Sequence, residues 1–290
     1  MTPTSKQIVI DKSVFIAFMG REFAALCNFL TSHLLLLPDT LLYEFATATR
    51  QAPEDLLYRY ERIIRAGAYY CSMSRTFVEW ECKHCRPYSW FLPDLHATEQ
   101  IRTGEKRPAD LLVSATRGEM SRPHYKVARA FLNVSEKLKN RIDREDPCLG
   151  GKIRQLPSDR YERFRIFLES VDSSNQHHIG VDSVPYHWVK NEKQFCLSPE
   201  WMGWQRIRLT DVIVRDYCCL RQSGGGPGED GAEHDYQDME YVLLLSRADG
   251  IITRDKKLVK PLARAAFPGK DVFSALEEVP ESYRCDWAVE

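Results

Sequence analysis

Ile8-Val9-Ile10-Asp11-Lys12-Ser13-Val14-Phe15 decides how this chain is read. An unbroken aliphatic run, with no polar alternation, is the pattern of a strand buried on both faces of a parallel sheet. The run stops on an acid. A second apolar run, Leu34 to Leu37, leads into Pro38-Asp39 and then Glu44. Near the other end, Asp238 precedes the apolar stretch Tyr241 to Leu245, followed by Ala248-Asp249-Gly250-Ile251-Ile252-Thr253-Arg254-Asp255. Open parallel sheets build their sites at the carboxyl ends of the strands, so acids distant in sequence can meet there. Four carboxylates in one place repel, and a divalent ion of the hard, oxygen-seeking kind, magnesium or manganese, resolves the repulsion.

Around these stretches the pattern predicts a strand over 7–11, a helix from Arg21 to Ser32, and a helix from Pro38-Asp39 through Glu44 toward Thr49. Proline and an acid in a first turn favour that start. Another helix begins at Pro53-Glu54-Asp55, with Leu56, Leu57, Tyr60, Ile63, Ile64 and Ala68 at helical spacing. The last segment reads as helix 238–247, strand 251–254, helix 256–266 and strand 271–273. This β/α alternation predicts a parallel sheet. The middle lacks it: 109–119, 123–142, 158–170 and 199–221 read as helices, separated by Gly150-Gly151, Pro157 and Gly224-Gly225-Gly226-Pro227-Gly228. The expected fold is α/β, a three-layer α/β/α arrangement with a parallel central sheet and a mostly helical insertion. Residues 1–66 and 233–290 form the core and 67–232 the insertion, one helix of which, near 204–221, can belong to the core.

In order and spacing the chain resembles the PIN-domain nucleases over residues 6–66 and 233–275. That family opens with a hydrophobic strand, Asp, a small hydroxyl residue and aliphatics, matched by Asp11, Ser13 and Val14. Its second acid lies on a helix after the second strand, matched by Glu44. Its third opens a helix, matched by Asp238, and its next strand ends in Thr-x-Asp, matched by Thr253-Arg254-Asp255. The resemblance implies a metal-dependent endonuclease, Asp11, Glu44, Asp238 and Asp255 holding Mg²⁺ or Mn²⁺, and products with a 5′-phosphate and a 3′-hydroxyl. It gives Ser13 and Thr253 supporting roles beside the ligands, and RNA or single-stranded nucleic acid as substrate. Two other readings stay open: a toxin ribonuclease held by a small inhibitory protein, and a PIN-like scaffold without activity. The chain is longer than such toxins usually are. Asp235 competes with Asp238 as third acid, and Asp249 reads as a turn residue before Gly250.

The net charge is −1, with Lys+Arg 40 against Asp+Glu 41, so any nucleic-acid surface must be local. Residues 121–166 offer one: twelve Lys/Arg against six acids, interleaved with Tyr125, Phe131, Tyr161 and Phe164. Cations for phosphates and rings for stacked bases suit a single strand, and Arg160 and Arg163 are the expected substrate contacts. The same pattern also describes a solvated helix face above core aromatics. By contrast 229–240, read as a loop beside the site, carries six acids and no Lys or Arg. Cys82-Lys83-His84-Cys85 is a lone CxxC, short of the two pairs a closed zinc site needs, and reads as reduced structural thiols. Cys218-Cys219 reads as packing, and His177-His178 as an exposed polar loop. No secretory leader or membrane-length apolar run is legible, which predicts a cytoplasmic protein with reduced cysteines and no membrane contact. A homo-oligomer remains open.

Overall fold

The computed structural model describes residues 5–16, 22–46, 53–88, 91–111, 123–145, 147–173 and 198–285. His177-His178, much of the expected helix 109–119 and the side chain of Tyr125 lie outside the described residues. The centre is a five-stranded sheet in the order β3-β2-β1-β4-β5, every pairing parallel. Its strands are β1 (Gln7–Ile10), β2 (Leu34–Pro38), β3 (Tyr69–Cys71), β4 (Gly250–Ile252) and β5 (Asp271–Phe273). β1 and β2 are buried along their whole length, as expected of strands covered on both faces. The register sets Ile8 beside Leu35 and Gly250, and Ile10 beside Ile252.

Helices alternate with these strands. Between β1 and β2 lie α1 (Lys12–Phe15) and α2 (Phe23–Leu30), and between β2 and β3 lie α3 (Asp39–Ala46) and α4 (Pro53–Arg65). Charge placement explains α4: Glu54 and Asp55 occupy its first turn, Arg62 and Arg65 its last, and Leu56, Tyr60, Ile63 and Ile64 are buried. After β3 come α5 (Ser74–His84), α6 (Leu95–Thr103), α7 (Pro123–Glu145), α8 (Pro147–Arg154), α9 (Arg160–Ser173), α10 (Met202–Gln222) and α11 (Glu229–Leu244). Then α12 (Val259–Ala266) connects β4 to β5.

Two expectations need correction. The segment 67–232 is not wholly outside the sheet, because β3 is its edge strand. Two bonds tie β3 to the start of α6, the Tyr70 amide on Thr98 Oγ1 (3.0 Å) and the Asp94 amide on the Tyr70 carbonyl (2.9 Å). Tyr69-Tyr70-Cys71 is too short to show a period. The acidic stretch 229–240 is helix rather than loop, so Asp238 lies within α11 instead of opening it. Glu229 and Asp230 in the first turn complement the helix dipole, and Ala232, Tyr236, Met239 and Leu243 keep a buried stripe at helical spacing. One continuous hydrophobic core contains the sheet together with Ala128, Phe131, Phe164, Phe167 and Val212 of the middle helices.

Candidate metal centre at the carboxyl edge of the sheet

The strand order reverses at β1, which has β2 on one side and β4 on the other. That is the place where open α/β sheets leave a crevice at their carboxyl ends. Asp11 follows β1 directly and caps α1. Its Oδ1 accepts from Ser13 Oγ at 2.6 Å and from the Val14 amide at 3.1 Å, and its Oδ2 accepts from Thr253 Oγ1. Ser13 Oγ in turn accepts from the Arg254 amide at 2.8 Å, and Thr253 Oγ1 from the Asp255 amide at 3.0 Å. The two hydroxyls expected beside the acids thus stitch the end of β1 to the loop after β4. Asp255 Oδ1 accepts the amides of Lys257, Leu258 and Val259 at 3.1, 2.7 and 2.9 Å, shaping the entry into α12.

Glu44, carried on α3 behind β2, is buried. Its Oε2 accepts from the Tyr241 hydroxyl, and its Oε1 lies 3.5 Å from Lys12 Nζ. Asp238, on α11, is half-buried and receives no hydrogen bond or ion pair among the described residues. Burial first, then the charges of Glu44, Asp255, Asp235 and Asp11, push its carboxyl well above the usual range. Burial likewise raises Asp11, against the donors from Ser13, Thr253 and Val14, and raises Glu44, against Lys12 and Tyr241. The four expected acids therefore share one electrostatic neighbourhood. As the side chains stand, no three Asp, Glu, His or Cys among the described residues are gathered into a ready chelate. Asp11 and Glu44 are met instead by protein donors.

Of the two candidates for third acid, Asp238 is the one that shares this neighbourhood without a donor among the described residues. Asp235 is committed elsewhere, its Oδ2 accepting from Arg160 at 2.9 Å and from the Tyr217 hydroxyl at 3.1 Å. Asp249 sits at the amino end of β4 and accepts the Gln7 amide at 2.8 Å, a structural role at the opposite edge of the sheet.

The basic stretch is placed differently from its expectation. Arg163 is buried, its Nε donating to Asp216 at 2.8 Å and its Nη1 to the carbonyls of Pro157 and Ser158. Arg160 bridges Asp216 and Asp235, both at 2.9 Å, and the carbonyl of Lys257 at 3.1 Å. These guanidiniums face inward to acids that sequence distance hides. Lys139 pairs with Asp143, Arg141 with Glu145, and Arg165 with both Glu162 and Glu169, while Phe131 and Phe164 are core. Cys82 is buried in α5, and the Cys85 thiol donates to the Cys82 carbonyl at 3.6 Å.

Sequence reasoning missed Lys12 and Tyr241, the partners of Glu44. Lys12 was visible beside Asp11, but nothing linked it to an acid 32 positions away. It also missed a buried cluster on the β2–β3 side, where Glu240 pairs with Arg206 at 2.8 Å and accepts from Ser74, and where burial pushes Asp39 up to about 7. No protein-family model matches the chain, and no curated protein and no solved structure matches it. Among the described residues no helix is long and apolar enough to cross a membrane.

Proposed function

We propose that the chain is a PIN-like, metal-dependent nuclease that hydrolyses phosphodiester bonds of RNA or single-stranded nucleic acid. One observation carries the reading. Asp238 is a half-buried carboxylate without a donor or cation among the described residues, surrounded by the charges of three other acids from the carboxyl edge of a parallel sheet. Proteins rarely leave a sheltered carboxylate so placed unless a cation belongs beside it. The donors are all hard oxygens, which fit Mg²⁺ or Mn²⁺ and not a soft metal. Asp11, Glu44, Asp238 and Asp255 would hold the metal, which supplies a polarised phosphoryl group and an acidified water. The chain's own groups set the frame. Ser13 and Thr253 fix the Asp11 carboxylate from both oxygens, Tyr241 fixes Glu44, and the three amides at the start of α12 fix Asp255. Such second contacts orient ligands and hold them ready.

The test is cleavage of labelled single-stranded RNA and DNA oligonucleotides, run beside calorimetric titration with Mn²⁺. The expected result is Mn²⁺ binding and cleavage in Mg²⁺ or Mn²⁺, both lost in Asp238→Asn and Asp11→Asn. Cleavage that persists in EDTA, or full activity in both variants, overturns the mechanism. Metal binding without cleavage of any strand identifies the catalytically inactive scaffold instead.

A further inference from the structure

Among the described residues, an ion pair from the chain itself reaches the acid cluster. Lys12 Nζ lies 3.5 Å from Glu44 Oε1, with about a quarter of the Lys12 side chain exposed and Glu44 nearly covered. Among the described residues no Lys or Arg pairs with Asp11, Asp238 or Asp255. Lys12 is fixed in place by its backbone, as the first residue of α1 and next to Asp11, while its four-carbon stem leaves the ammonium free to swing. Arg160, on α9, cannot do this, since its guanidinium already serves Asp216, Asp235 and the Lys257 carbonyl.

We propose that Lys12 is a displaceable cation that neutralises Glu44 in the metal-free protein and moves to a phosphate of the bound strand once metal takes over Glu44. The inference rests on the nuclease reading above and adds a substrate-binding residue to it. The physical argument is charge balance. Two ligands compete for Glu44, an ammonium and a divalent ion, and the stronger divalent field wins the carboxylate. The released ammonium then lies beside a site entered by an anionic phosphodiester, and offers it a positive charge next to the metal ligands. A mobile point charge is what phosphate binding by lysine uses.

This role predicts opposite changes in two measurements, which a purely structural lysine would not give. In Lys12→Met, removing the competitor should tighten Mn²⁺ binding by about fivefold, the effect of one partly screened ion pair. The same variant should bind a single-stranded oligonucleotide in Ca²⁺ about tenfold more weakly, with a shallower salt dependence by one charge. Lys12→Arg should restore oligonucleotide binding while keeping wild-type Mn²⁺ affinity. Titration calorimetry reads the first effect and fluorescence anisotropy the second, with a thermal melt confirming that each variant folds. If the wild type binds Mn²⁺ and Lys12→Met binds it no tighter, or binds the oligonucleotide as well as the wild type, the role of Lys12 is overturned and the nuclease reading stands. If the wild type binds no Mn²⁺, both fall.

Discussion

Asp238 is the residue that carries the proposed metal site, and its environment has a consequence for stability. Its carboxyl is raised by burial and then by Glu44, Asp255, Asp235 and Asp11. The native state therefore keeps a proton that the unfolded chain has already released. Stability from this group is fully present below the ordinary carboxylate range and is lost as pH rises through the raised native value. Asp11 and Glu44 act in the same direction. The metal-free protein should melt lower near pH 7.5 than near pH 5.5, and Asp238→Asn should shrink that difference and raise the neutral-pH Tm by about 2–4 °C. Saturating Mg²⁺ should abolish the difference in the wild type. Equal slopes of Tm against pH in the two proteins would remove the idea of a strained acid cluster. Asp11 and Thr253 were recognisable in the sequence because each ends an aliphatic run. Lys12 and Tyr241 were not, since a lysine after a strand and a tyrosine in a helix are ordinary until the fold brings both to Glu44.

At the level of elements, α9 is anchored by charge. Asp216 on α10 is completely buried and accepts from both Arg160 and Arg163. Breaking one side of a buried pair leaves an uncompensated charge, so Asp216→Ala should cost about 3–5 kcal/mol, measured by urea unfolding. Arg163→Met should destabilise the protein but leave the salt dependence of oligonucleotide binding as in the wild type. A lost salt slope would return Arg163 to the substrate path. The sequence could show that 121–166 is basic and helical but not which way its arginines face. Arg160 and Arg163 share one helix face, and the acid they meet lies more than fifty residues later in the chain. A similar blindness affected α11. Six acids in twelve positions look like a solvated loop, yet Tyr236, Met239 and Leu243 bury one side, Asp235 meets Arg160, Glu240 meets Arg206, and Asp238 lies among other acids.

Across the whole molecule, the sheet and the middle helices share one core. Phe131 of α7 meets Tyr236 of α11 edge to face at 5.8 Å between ring centroids, and α11 carries Asp238. The central strands β1, β2 and β4 were legible as apolar runs, while β3, three residues long, needed its neighbours to be recognised. Helices and sheet should therefore unfold together, and urea transitions followed by far-ultraviolet dichroism and by tryptophan fluorescence should coincide. Two separated transitions would make the middle helices an independent domain. The arrangement β3-β2-β1-β4-β5 also has a timing consequence. During synthesis Asp11 and Glu44 emerge first, and at 5–20 residues per second roughly 10–40 s pass before Asp238 follows. Throughout that interval β1 has no β4 beside it, and the growing chain holds two of the four acids proposed as metal ligands. On the proposed nuclease reading, a ribosome carrying it would have its own RNA within reach of a protein still short of its metal site, and the capacity to cut would arrive only with the last strands.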